Sequence, residues 1–288
     1  MGDKDFNQSR AWNDLLTQVG FGPRKPGTPE HIKCRDYISD EMKKTCDNVH
    51  FQEFSHTWSV SGQPVTMWNI IGDQNWKDAT VRVALFAHWD SRPTAELDRN
   101  ADNRSKAIPG ANDGASGVAV LLELARVLKS QLPSSVGVQY VMTDGAALGP
   151  GVNEMFLGSD AYAKDLANHP QPSYAIVLDM VGKKNLKVAM ELNSLKYAKV
   201  LEYALYKHAT TVGLGDAFPM EFGQQLRDDH LPLIQAGLRA IDIIDFNYLE
   251  YWHTLEDTPD KCSPDSLGIV GKLLQTWLQK DPPFTFEG

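Results

Sequence analysis

His88, Asp113, Asp144, Asp179, Asp228 and His253 are side chains able to do chemistry, and most of them fall at one kind of place. The apolar run "TVRVALFA" ends at His88-Trp89-Asp90, and "SVGVQYVMT" ends at Asp144. The run from 174 ends at Asp179, and the run from 238 to 244 leads to Asp245 and then Trp252-His253. Asp113 opens the apolar stretch "DGASGVAVLLELARVLKSQL". In open α/β sheets, ligands bind outside the carboxyl ends of the strands. Imidazole and carboxylate are the nitrogen and oxygen donors of catalytic zinc sites. Singly, Asp113 has a second use as a helix cap, and His88 or His253 as a hydrogen-bonded rim histidine. As a set, His88, Asp113, Asp179 and His253 mark one rim and point to a metal-assisted reaction. "RDDHLPLIQAG" adds Asp228 and Asp229, two adjacent like charges that are costly unless exposed or paired.

One junction lacks its chemistry. "VMTDGAALGP" turns after Asp144-Gly145, where a reactive group belongs, and supplies Ala146 and Ala147. Glu154, seven residues past Ala147, reads as a solvated loop carboxylate.

The elements that must position these residues follow from periodicity. Helices are predicted over 7–19, 29–46, 113–132, 157–168, 194–213 and 263–280, and strands over 48–58, 64–72, 80–87, 135–143, 172–182 and 238–246. Thr28-Pro29 supplies a cap and a first-turn proline for the second helix. Strands alternating with helices imply an α/β fold, with a mainly parallel sheet covered on both faces. The charged stretch 91–110 reads as a surface excursion. No linker divides the 288 residues, so one domain is expected, with 1–27 as an N-terminal helical extension.

A net charge of −9 argues against nucleic acid and anionic membranes as partners. No apolar run reaches the roughly 18 residues of a membrane span. The opening "MGDKDFNQSR" has no signal-peptide core. Cys34, Cys46 and Cys262 form no CxxC pair and read as free structural thiols.

"HWDSRP", "GANDGASGVAVLLELARVL", "LDMVG", "DDHLP" and "WHTLEDTPDK" occur in the order and rough spacing of the M28 zinc peptidase clan. The chain resembles this clan over about residues 30–280, and most resembles its glutaminyl cyclase branch, particularly bacterial members. The resemblance implies a single α/β domain with a central mixed, mostly parallel sheet. It implies zinc as cofactor, peptide or protein N-termini as partners, and an extracytoplasmic address. The implied reaction closes an N-terminal glutamine to pyroglutamate with release of ammonia. In the cyclase pattern one zinc sits on the positions of Asp113, Ala147 and His253. The clan's aminopeptidases add a second zinc through the positions of His88 and Asp179. Asp179 and Asp228 match an acidic hydrogen-bond network, and Trp252 matches a pocket wall; Trp89 is a second candidate at the rim.

The departure is at the alanines. The family carries Glu-Glu or Glu-Asp where this chain has Ala146-Ala147. The first acid is the family's proton shuttle and the second a zinc ligand. The expectation is therefore weak or no zinc binding and little turnover, with a clan aminopeptidase or a non-catalytic peptide-binding relative as alternatives.

Overall fold

Three apolar runs whose residues point into the interior on both faces make the centre of the sheet. In the computed structural model, which describes residues 4–280 and 283–286, these are β3 (Val81–His88), β4 (Val136–Thr143) and β5 (Tyr174–Asp179). All eight residues of β4 are buried, as expected of strands covered on both faces. β1 (Asn48–Trp58) and β2 (Gln63–Gln74) form an antiparallel hairpin at one edge, and β6 (Ala240–Ile244) closes the other. The order is β1-β2-β4-β3-β5-β6. β2 runs antiparallel to β4, while β4, β3, β5 and β6 are mutually parallel. The mixed, mostly parallel sheet of the sequence reading is thus observed.

From β3 the chain crosses to β4 on one side, and from β4 back to β5 on the other. The strand order therefore reverses at β3, and a crevice opens at the carboxyl ends of β3 and β5. Seven α-helices cover the sheet among the described residues. α1 (Gln8–Gly20), α3 (Ala115–Leu128) and α7 (Pro264–Leu278) pack together over one face, with α2 (Pro29–Lys43) beside them. α4 (Leu157–Asp165) and α6 (His230–Gln235) pack together over the other, and α5 (Leu192–Thr211) lies against β6. α3 is buried along its length except at Arg126, so it is the helix around which the larger core is built.

The boundaries move for local reasons. α2 starts as expected, with Thr28 accepting from His31 N and Pro29 in the first turn, but it ends at Lys43 rather than 46. α3 starts at Ala115 and is capped by Gly114, not by Asp113, whose carboxylate is used elsewhere. β5 stops at Asp179 because Met180 turns to φ +47°. α6, which begins at His230 of "DDHLP" and holds Pro232 in its first turn, was not foreseen. The segment 91–110 is a surface excursion over 99–106, where most residues are exposed, but its ends are tied down: buried Arg24 donates to the carbonyls of Trp89, Pro109 and Gly110, and Ile108 N donates to Arg92 O. All three cysteines are free, and no described helix is long and apolar enough to cross a membrane.

Candidate metal centre

His88 closes β3 and Asp179 closes the neighbouring β5, so the parallel register alone brings them together. His88 Nε2 lies 3.1 Å from Asp113 Oδ1 and 3.3 Å from Asp179 Oδ1. One donor atom from each of the three falls within 4.8 Å of the others, close enough to share a metal ion. His253, on the loop after β6, brings Nε2 to 3.6 Å from the other oxygen of Asp113. Asp113 therefore stands between two imidazoles, and Asp113 and His253, far apart in sequence, meet.

Gly114 lets Asp113 reach this position. Its φ is +107°, and a Cβ there would sit 2.7 Å from Asp90 O and 3.1 Å from the His88 ring. The Asp113 backbone is fixed by Asp257, whose buried carboxylate accepts from Asn112 N (2.8 Å), Asp113 N (3.2 Å) and the Tyr248 hydroxyl (2.8 Å). His253 is oriented by Glu96, which accepts from its Nδ1 at 2.8 Å and from Arg92 Nε at 2.5 Å. Asp90 lies 3.3 Å from His88 Nδ1. Outer partners of this kind set the tautomer and direction of a ligating ring. Phe156, Met180 and His253, all non-glycine residues with φ between +47° and +59°, line the same cavity. Sparsely populated backbone conformations of this sort cluster at functional sites.

The electrostatics follow from burial and proximity. Burial opposes a charge on His88, but the carboxylates of Asp113, Asp179 and Asp90 beside it outweigh that and hold its pKa well above the usual histidine value. Burial raises the Asp113 carboxyl, yet His88 and His253 bring it below the ordinary range. Burial, and then the neighbouring Asp113, leaves Asp179 raised despite His88. Asp228 is pushed well up by burial and by Asp179. Asp179 Oδ1 and Asp228 Oδ2 have no hydrogen-bond partner among the described residues, and both residues line a cavity of 240 Å³.

The two alanines sit in this cavity. Ala146 and Ala147 are buried and line it alongside His88, Asp113 and His253. Their amides donate to the two oxygens of Asp90, at 3.1 and 3.3 Å. Asp144 anchors the turn from behind, accepting from Trp68 N at 2.9 Å with His31 Nε2 also at 2.9 Å. The backbone is thus held firmly where the side chains carry only methyl groups. Glu154 does not substitute for them: its carboxylate accepts from Ser59 N and Ser59 Oγ, both at 2.7 Å.

Of the two tryptophans, Trp252 lines the cavity, stacked on the His253 ring at 3.8 Å. Trp89 does not. It is fully buried, stacked on His31 at 4.2 Å with Nε1 donating to Trp68 O, because the residue after His88 points to the opposite side of the chain. The sequence reading also passed over Asp90, Glu96 and Asp257. Asp257 belongs to the quoted "WHTLEDTPDK", but its burial shows only in the structure. Glu96 lay in a stretch taken for surface and carried none.

Residues 69–278 match the profile of Peptidase family M28. A Zn-dependent exopeptidase from Parabacteroides distasonis superposes with a TM-score of 0.91 at 32% identity, covering 96% of this chain and 98% of that one. The glutaminyl cyclase of Tannerella forsythia gives 0.91 and 32%, covering 96% and 99%. A glutaminyl-peptide cyclotransferase from Bothrops jararaca is 25% identical over 94% of this chain and 81% of its own length. The family match runs from β2 to the end of α7, enclosing every residue of the site, and the chain belongs to peptidase family M28.

Proposed function

We propose that the cavity receives the N-terminal residue of a peptide or protein, and that the chain is a glutaminyl cyclase-like protein whose turnover is held down by two alanines. The reaction of its relatives' class closes an N-terminal glutamine on itself: the α-amine attacks the side-chain amide carbon and ammonia leaves. The observation that carries this reading is the placement of Ala146 and Ala147 in the cavity wall beside Asp113, His253, Asp179 and Asp228.

The donor set decides how far the site fits a zinc ion. The cyclase arrangement of Asp113, residue 147 and His253 offers two donors here, where catalytic zinc takes three protein ligands. His88, Asp113 and Asp179 offer three within 4.8 Å, so these residues fit an ion while the cyclase set is one carboxylate short. Zinc, when bound, supplies a Lewis acid for an amide carbonyl. The chain's own residues supply the rest. Asp257 and Glu96 aim Asp113 and His253. Asp228 and Asp179, whose carboxyl pKa values burial raises, face the cavity where an amide could hydrogen-bond to them. Trp252 gives the apolar wall. A carboxylate at 146 would take the amine proton and return it to ammonia; a methyl group does neither. Loss of such a group costs about 10²–10⁴-fold in rate.

The test is Ala146→Glu with Ala147→Asp, assayed with a glutaminyl peptide in zinc-containing buffer. The double variant is expected to cyclise it at least about 10²-fold faster than the native chain. A native chain already as fast as the double variant contradicts the reading. The His88–Asp113–Asp179 set favours a second reading, a two-metal aminopeptidase. Release of leucine anilide rather than cyclisation of glutamine anilide by the double variant would select it.

A further inference from the structure

Leu226, Ile244 and Phe246 are walls of two adjoining spaces: the cavity beside Asp113, and a groove of 280 Å³. The groove runs past Ala189 to Phe222, which is 72% exposed. A single exposed apolar residue is ordinary. Phe222 differs in standing on a groove that shares its apolar walls, Leu226, Ile244 and Phe246, with the cavity, while Lys187, Glu191, Gln224 and Asn247 complete the lining.

The backbone at the groove gives a second, independent observation. Val188 N donates to Ala217 O, Met190 N to Glu221 O and Leu192 N to Gln224 O, so alternate residues of this extended segment pair with the 217–224 stretch. Period-two geometry turns Ala189 the other way. Its N–H and C=O have no hydrogen-bond partner among the described residues, and Ala189 lines the groove. An extended peptide satisfies such a free pair with its own main chain, while its side chains fill the neighbouring pockets.

We infer that this groove takes the second to fourth residues of a peptide whose N-terminal residue occupies the cavity, with a large apolar side chain preferred against Phe222 and Phe246. The inference rests on the reading of the cavity as a site for peptide N-termini. It makes the ligand a peptide rather than a free amino acid or its amide, and it makes Phe222 a specificity-determining residue.

The experiment is calorimetric titration of the native chain and of the Ala146→Glu/Ala147→Asp chain with glutaminamide, Gln-Phe-Leu-Ala-amide and Gln-Gly-Gly-Gly-amide. The Phe-Leu peptide is expected to bind about 10-fold more tightly than the Gly peptide, the gain from burying one large apolar side chain. Phe222→Ala, at an exposed position where folding is not at stake, is expected to shrink that ratio to about 2-fold, and N-acetylation of the Phe-Leu peptide to abolish binding. Equal affinity of the two tetrapeptides, with glutaminamide still bound, overturns the groove and leaves the cavity reading standing. An unchanged ratio in Phe222→Ala, or undiminished binding of the acetylated peptide, also overturns the groove. Failure of all three ligands to bind either chain overturns both.

Discussion

Asp90 shows how a residue that does no chemistry can decide whether a site exists. Its carboxylate accepts from Ala146 N and Ala147 N and stands beside His88, with no exposure to solvent. Replacing it by alanine strands two buried amides. We expect Asp90→Ala to lower stability by about 3 kcal/mol in urea denaturation. We also expect it to cancel the gain from Ala146→Glu/Ala147→Asp, because the restored acids would hang from an unfixed turn. Full rescue of cyclisation in the triple variant contradicts that role. At this scale the sequence was informative about donors and uninformative about their supports. His88, Asp113, Asp179 and His253 were legible because strand ends announce themselves. Asp90, Glu96 and Asp257 were not, because a carboxylate that holds backbone amides, as Asp90 and Asp257 do, or a ligand's ring, as Glu96 does, looks in sequence like any surface acid.

At the scale of elements, the apolar runs placed the central strands and α3 within a few residues, because burial on both faces leaves a continuous apolar signature. What escaped was the stretch after α5. Glu191 caps α5 by accepting from Ser194 N at 2.6 Å, accepts from Leu226 N at 2.9 Å, and lies 3.3 Å from His230 Nε2 at the start of α6. One carboxylate thus ties α5, the 226 loop and α6 together, a long-range tie with no periodicity to reveal it. Burial raises its pKa, but His230 and the backbone amides prevail and bring it from 4.5 to about 2. A carboxyl with a depressed folded pKa stabilises the fold above its ordinary value and loses that contribution as pH falls through the folded one. Native stability is therefore expected to drop between about pH 4.5 and 2. Glu191→Gln should be less stable at pH 7 and show a shallower acid limb in denaturation curves. An acid limb of unchanged slope contradicts the tie.

For the whole molecule, a net charge of −9 conceals where acids lie. Asp228, Asp242 and Glu202 are buried, with pKa values pushed well up by burial and by neighbouring acids. Asp242 is buried on the edge strand β6, with His230 Nδ1 3.7 Å away and neither oxygen hydrogen-bonded among the described residues. A raised folded pKa stabilises below the ordinary carboxyl value of 3.8 and costs stability as pH climbs above it. Asp242→Asn keeps the shape and removes that cost, so the variant is expected to gain on the native chain as pH rises above 3.8. A variant that loses ground as pH rises contradicts a raised pKa at Asp242. The six strands and their mainly parallel character were legible from the alternation of strands and helices, while the order β1-β2-β4-β3-β5-β6 with its reversal at β3 appears only in the structure. The acidic interior was not, because composition counts charges without saying which are kept from water.

Everything turns on Asp113 and its imidazole neighbours holding one ion at the carboxyl edge of the sheet. Anomalous diffraction at the zinc edge, from zinc-soaked crystals of the Ala146→Glu/Ala147→Asp chain, addresses this most directly. The expected result is a zinc peak about 2.0–2.2 Å from an Asp113 oxygen and from a nitrogen of His253 or His88. A zinc-loaded crystal with its peaks elsewhere, and none at Asp113, contradicts the account.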